Sequence, residues 1–244
     1  MRYSAAMNEP ISIPLDGGDT RPGVLSIPEG EGPFPGVVVI HDIMGMRPDT
    51  RRHCERFAAE GYAAIAPDLY DGYSPSCVVK TLLSTLSTEG EGYAIVAAAR
   101  RALAARPEVD ASRIVVMGFC MGGGFALVSA AQGDYVAAAP YYGMVPKEAS
   151  DLQGLCPVIA SFGRKDMLFR SHAARLSRHL EALGVTHEVI VHEDVGHSFM
   201  NDHKDPLFYL GRFTPMRAKF DAALYEKSWA AMMAFFEQHM PSAQ

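Results

Sequence analysis

Cys120 stands in the run Gly118-Phe119-Cys120-Met121-Gly122-Gly123-Gly124, preceded by Ile114-Val115-Val116-Met117 and followed by Phe125-Ala126-Leu127-Val128-Ser129-Ala130-Ala131. An apolar β-branched run, a glycine-bracketed residue and a second apolar run read as strand, sharp turn and helix, the arrangement of a nucleophile elbow. Glycines two residues before and two after the cysteine let the backbone turn without Cβ collisions. The thiol then projects at the helix N-terminus, whose positive end favours thiolate. The chemistry open to such a group is nucleophilic attack, which needs a base to take a proton and an acid to orient that base. Asp166 follows Val158-Ile159-Ala160-Ser161-Phe162, and His197 follows Glu188-Val189-Ile190-Val191, so both stand just past predicted strand ends. A cysteine between glycines is by itself equally a small packing residue. The joint occurrence of the three groups at strand ends, in the order Cys, Asp, His, points to catalysis.

The elements that must position these groups alternate along the chain. A hairpin, Ile11–Leu15 and Gly23–Ile27 around Asp16-Gly17-Gly18-Asp19, opens it. The continuous run Val37-Val38-Val39-Ile40 is of the kind buried on both faces of a parallel sheet. Helix over 50–60, strand over 62–66, helix within 91–105, strand over 114–119 and helix over 121–132 follow. Strands over 136–139 and 158–162, a helix over 171–183 closed by Gly184, a strand over 187–191 and a last helix over 221–239 complete the series. This predicts an α/β fold, a mainly parallel twisted sheet with helices on both faces, in one domain spanning 1–244. Residues 70–90 and 200–220 break the rhythm after strand ends and are expected to be lid loops.

The chain has 244 residues, 48% of them hydrophobic and 20% charged, and a net charge of −6. That is enough for one sizeable core. No block of lysine or arginine appears, which gives no electrostatic footprint for nucleic acid. The four cysteines, Cys54, Cys77, Cys120 and Cys156, are widely spaced and form no C-x-x-C pair. With no signal-like or membrane-spanning apolar segment, the expectation is a cytoplasmic protein with reduced thiols, in contact with no membrane. His192 and His197 make no recognised metal spacing. His172 and His179 are expected on the solvent face of their helix.

The order nucleophile, acid, histidine is that of the α/β-hydrolase fold. Over most of the chain, from about Pro35 to the last helix, the residues resemble the dienelactone hydrolase family. His41-Asp42-Ile43-Met44-Gly45, Tyr62 to Tyr70, Gly118 to Gly124, Tyr141-Tyr142-Gly143 and Gly196-His197-Ser198-Phe199 follow its pattern. The resemblance implies a triad of Cys120, His197 and Asp166, an oxyanion hole from the N–H groups of Ile43 and Met121, and hydrolysis of a small lactone or ester with neither metal nor organic cofactor. Where the family carries a glutamate that pairs with the thiol, this chain has Asp42, shorter by roughly 1.5 Å of reach. Where an arginine for the substrate carboxylate is expected, Asn201 stands, which cannot offer a charge-assisted fork. His203, Lys204 and Arg212 are the nearby alternatives, each expected to be a solvated surface group. Tyr142, Phe199 and Asn201 are candidate substrate contacts.

Other readings fit parts of the pattern. A general carboxylesterase or thioesterase would use the same scaffold, and a non-catalytic α/β small-molecule-binding protein would use Cys120 only for packing. A redox role for Cys120 finds no resolving cysteine nearby in sequence. The oligomeric state is not readable from the chain.

Overall fold

A computed structural model describes residues 8–70, 75–85 and 87–242. Its sheet has eight strands, β1 (Glu9–Pro14), β2 (Thr20–Ser26), β3 (Phe34–Ile40), β4 (Ala63–Pro67), β5 (Val109–Phe119), β6 (Ala138–Tyr141), β7 (Val158–Gly163) and β8 (His187–His192). They run in the order β1-β2-β4-β3-β5-β6-β7-β8. The opening hairpin is antiparallel and β2 pairs antiparallel with β4; every other pair is parallel. Helices α1 (Pro48–Ala59), α2 (Pro75–Ser84), α3 (Glu91–Ala104), α4 (Met121–Gln132), α5 (Arg170–Leu183), α6 (Pro206–Leu210) and α7 (Ala222–His239) connect or follow them. This is the expected α/β-hydrolase architecture.

The register explains why distant residues share one rim. Ile40 pairs with Gly118, Phe119 with Tyr141, Tyr141 with Ser161, and Gly163 with His192. The carboxyl ends of β3, β5, β6, β7 and β8 therefore finish side by side, and their loops open on the same edge, where ligands bind in open α/β sheets. Val37, Val38, Val39, Ile40, Val115 and Val116 have no solvent exposure, as strands covered on both faces require. On one face α7 lays Trp229 against Phe57 of α1, with ring centroids 4.5 Å apart. Asp221 caps α7 by accepting the Leu224 N–H at 3.0 Å, and Gly184 ends α5 in the left-handed region at φ 67°, both as helix-end chemistry predicts.

Three expectations are corrected. Strand β6 ends at Tyr141 instead of residue 139, which carries Tyr142 to the rim. The two stretches expected as loops contain helices, α2 and α6, and a 3₁₀ turn follows α6 at Gly211–Phe213. Residues 71–74 and 86 of the first stretch lie outside the described residues.

Candidate active site

Strand β5 ends at Phe119 and α4 begins at Met121, so Cys120 makes the turn alone, at φ 55° and ψ −116°. A residue with a Cβ resists that conformation, and an outlier of this kind persists only where its surroundings hold it. The Cys120 N–H donates to the Tyr141 carbonyl at 3.0 Å, and the Cys120 carbonyl accepts from Gly123 at 3.0 Å. Gly122 lets α4 close onto β3, because a Cβ there would collide with the carbonyl oxygens of Ile40 and His41. The half-buried thiol thus sits between the helix N-terminus and the loop after β3. Burial pushes the thiols of Cys54 and Cys156 up to about 12, which leaves both protonated and unreactive near neutrality.

The loop after β3 is pinned from several directions. The His41 Nδ1 donates to the Asp42 carbonyl at 2.6 Å, while its Nε2 accepts the Leu69 N–H at 3.0 Å. The Ile43 carbonyl accepts the Tyr70 hydroxyl at 2.9 Å, and Asp42 Oδ1 accepts the Met44 N–H at 2.8 Å. Both peptides that flank Ile43 are therefore fixed. Among the described residues no protein acceptor takes the N–H of Ile43 or of Met121. Both donors are left for a ligand or for water.

Asp166 and His197 meet because their loops are packed backbone to backbone. A Cβ at Gly163 would collide with the carbonyl oxygens of Val195 and Gly196, and Lys165 donates to the Val195 carbonyl at 2.9 Å. Asp166 Oδ2 then accepts the His197 Nδ1 proton at 2.6 Å. Its Oδ1 accepts the N–H groups of Leu168 at 3.1 Å and Phe169 at 3.2 Å, so the carboxylate cannot rotate away. The His197 ring contacts Tyr142 and Phe169, with centroids 4.8 and 5.0 Å apart. With Nδ1 engaged, Nε2 is the free nitrogen, buried and without a hydrogen-bond partner among the described residues. Burial alone lowers the His197 pKa. The charge of Cys120 and the hydrogen bond and charge of Asp166 overcome that and hold it up at about 10. Imidazole and carboxylate are thus joined across two loops, with Cys120 at the turn of a third.

Asp42, expected to act on the thiol, has its carboxylate engaged elsewhere. Beyond Met44 it accepts from His203 Nε2 at 2.6 Å. His203, expected on the surface, is 5% exposed. Burial lowers its pKa, but the hydrogen bond and charge of Asp42 and the charge of Asp49 raise it. Lys204 and Arg212 are exposed as expected; Lys204 pairs with Asp202 at 2.7 Å.

Tyr142, Phe199 and Asn201, the candidate substrate contacts, are buried and committed to internal partners. The Tyr142 hydroxyl donates to Asn201 Oδ1, and Asn201 Nδ2 donates to Asp49 Oδ2 at 2.8 Å. Asp49, on the first turn of α1, also holds Arg52, His53 at 3.5 Å and the Asp202 N–H at 3.2 Å. Burial would raise the Asp49 carboxyl, yet His53 and then Arg52 and Asn201 keep it well below the usual range. Phe199 packs edge-on against Tyr142, 5.0 Å between centroids. These residues brace the histidine loop from behind. Asp49 escaped the sequence reading, and His203, read there as a solvated surface group, is instead buried. His172 and His179, expected in solvent, are half-buried and bond the loop after β6: His172 Nδ1 accepts the Val145 N–H at 2.9 Å, and His179 Nε2 donates to the Pro146 carbonyl at 3.2 Å.

Among the described residues no group of three or more His, Cys, Asp or Glu is placed to hold a metal ion, and no helix is long and apolar enough to cross a membrane.

Comparison with known proteins converges on one family. The model of the dienelactone hydrolase family matches residues 22–240. A protein of Escherichia coli (strain K12) named "Putative carboxymethylenebutenolidase" is 30% identical, covering 93% of this chain and 86% of the relative. The crystal structure of P91, a dienelactone hydrolase-like promiscuous phosphotriesterase from metagenomic libraries, superposes with a TM-score of 0.83 at 25% identity, covering 97% of this chain and 100% of that one. With the rim geometry above and a family match over nearly the whole chain, the protein belongs to the dienelactone hydrolase family.

Proposed function

We propose that this hydrolase cleaves a small lactone or carboxylic ester through Cys120, His197 and Asp166, by way of a thioester on Cys120. The observation that carries the reading is the 2.6 Å hydrogen bond from His197 Nδ1 to Asp166 Oδ2, which orients the ring and leaves its buried Nε2 unpartnered on the rim where Cys120 makes the strand-to-helix turn. The Cys120 sulfur attacks the carbonyl carbon, and a C–S bond forms as the carbonyl π electrons move to oxygen. The N–H groups of Ile43 and Met121 receive that oxyanion. On collapse the C–O bond breaks and the leaving alkoxide takes the proton from His197 Nε2; in a lactone it stays tethered as the product hydroxyl. His197, now neutral, draws a proton from water, which attacks the thioester carbonyl. Collapse breaks the C–S bond and returns sulfur and protonated imidazole to their starting state.

Asp42 shapes the oxyanion loop in this reading, since its carboxylate holds the peptide after Ile43. Tyr142 and Asn201 position His197 through the ring contact and the bond to Asp49. A single small-molecule substrate suffices, with neither cofactor nor metal in any step.

The test is mass spectrometry of enzyme quenched in acid during turnover of p-nitrophenyl acetate. An acetyl adduct on Cys120 is expected, with both adduct and turnover absent in a folded Cys120→Ala variant. Undiminished turnover in that variant overturns the reading and returns Cys120 to a packing role.

A further inference from the structure

The two main-chain donors of the proposed oxyanion hole come from different loops, and each loop aims its own N–H. The N–H of Ile43 shares a peptide with the Asp42 carbonyl, which accepts His41 Nδ1 at 2.6 Å and the Gly45 N–H at 3.0 Å. The N–H of Met121 shares a peptide with the Cys120 carbonyl, which accepts the N–H groups of Gly123 at 3.0 Å and Gly124 at 3.3 Å. Carbonyl and N–H point in opposite directions in a planar trans peptide, so a pinned carbonyl fixes the donor across from it. Direction is thus settled within each loop. The spacing between the donors is a separate matter, since among the described residues no backbone hydrogen bond joins 41–45 to 120–124.

Tyr70, just past the end of β4, spans that gap from the side. Its hydroxyl donates to the Ile43 carbonyl at 2.9 Å and lies 3.7 Å from Met121 Sδ, so one atom touches both donor-bearing residues. The ring itself is held firmly. Tyr70 is 2% exposed, its ring meets that of His41 at 5.1 Å between centroids, and its N–H donates to Asp68 Oδ1 at 3.0 Å. The neighbouring Leu69 N–H donates to His41 Nε2 at 3.0 Å, which ties the loop after β4 to the loop after β3.

Resting on the Cys120 mechanism above, we propose that Tyr70 is a positioning residue that sets the distance between the Ile43 and Met121 N–H groups, so that both reach one developing oxyanion. Gly122 lets α4 approach the carbonyls of Ile40 and His41, and the Tyr70 hydroxyl fixes how the two loops stand once they have met. Tyr70 acts through the donors and not on the thiol. Its effect is therefore confined to steps in which charge grows on a carbonyl oxygen.

The test compares two reactions of the same thiol. Acylation by p-nitrophenyl acetate passes through an oxyanion, whereas alkylation by iodoacetamide displaces iodide at a saturated carbon and forms none. Tyr70→Phe is expected to lower kcat/KM for the ester by about tenfold, the scale of one lost hydrogen bond, while the rate of Cys120 alkylation, followed by peptide mass spectrometry, stays within about twofold of wild type. Met121→Leu conserves volume and removes the sulfur contact; it is expected to lower kcat/KM by about threefold, and by no more than Tyr70→Phe alone when the two are combined. Unchanged kcat/KM in Tyr70→Phe overturns the proposal. Equal losses in acylation and alkylation also overturn it, because they assign Tyr70 to general packing. Should Tyr70→Phe fail to fold, Met121→Leu decides: a loss confined to acylation supports the spacing role, and undiminished acylation overturns it. Turnover that persists in Cys120→Ala removes the mechanism on which the proposal rests, whereas turnover that needs Cys120 and ignores Tyr70 overturns the spacing role alone.

Discussion

Two aspartate–histidine pairs are buried within this rim, and they differ in what each histidine has left to offer. Asp166–His197 and Asp42–His203 have the same 2.6 Å separation, both rings are nearly inaccessible, and both imidazoles have raised pKa values. His197 uses Nδ1 for its carboxylate, which leaves a buried Nε2 unbonded. His203 spends Nε2 on Asp42, stacks edge-on with Phe208 at 4.9 Å, and borders a 310 Å³ cavity with Arg47, Arg52 and Lys204. An Asp–His pair is therefore not in itself a catalytic unit. In the mechanism proposed above, the nitrogen left unbonded separates a proton shuttle from a loop tether.

The largest test of that contrast is histidine removal. His197→Ala is expected to lower kcat/KM for p-nitrophenyl acetate by about 10³- to 10⁴-fold. His203→Ala is expected to lower it by about tenfold or less, through a shifted oxyanion loop. Equal losses from both would erase the distinction between the pairs.

Next come the acids. Asp166→Asn leaves Nδ1 without its acceptor and favours the wrong tautomer, so kcat is expected to fall by about 10²- to 10⁴-fold. Asp42→Asn keeps an oxygen for the Met44 N–H and is expected to cost less than about tenfold in kcat. Its larger effect should be on stability, about 1 to 3 kcal/mol from a buried histidine that loses its partner, measured by urea unfolding. A catalytic collapse in Asp42→Asn, comparable to that of Asp166→Asn, would instead place Asp42 on the thiol.

The remaining test is the pH dependence of stability. His197 titrates near 6.5 when unfolded and at about 10 when folded. A raised folded pKa contributes stability that is complete below the unfolded value and is lost as pH climbs through the folded one. Stability is thus expected to decline between about pH 6.5 and 10, with His203 adding in the same direction. Fluorescence of the single tryptophan, Trp229, follows unfolding. In Cys120→Ala the decline should flatten, because the sulfur charge that raises His197 is gone, whereas in His203→Ala most of it should remain.

The legible parts of the chain were those where local pattern and tertiary role coincide. The four-residue run Val37-Val38-Val39-Ile40 reads as a buried strand, and the glycines around Cys120, set between two apolar runs, read as a tight strand-to-helix turn. Helix α6 stayed hidden because its five residues, Pro206–Leu210, are too few to show a helical period, and α2 because Val79 and Leu83 face solvent, so its apolar residues do not mark a core-facing stripe. His203 was illegible for a different cause. A histidine between Asp202 and Lys204 looks solvated, and its burial depends on Asp42, a residue far away along the chain that only the packed rim brings within reach.

From its sequence alone the protein was committed to a parallel α/β sheet with a thiol, a carboxylate and an imidazole each placed just past a strand end, because strand and helix periodicity and glycine placement are local properties of a chain. Tertiary structure decided how those groups are arranged: sheet register set the loops side by side, close backbone packing at Gly122 and Gly163 joined them, and the packed rim decided which nitrogen of each histidine is bound to a carboxylate. Hydrogen-bond geometry and desolvation act through space, and neither is written in the order of residues.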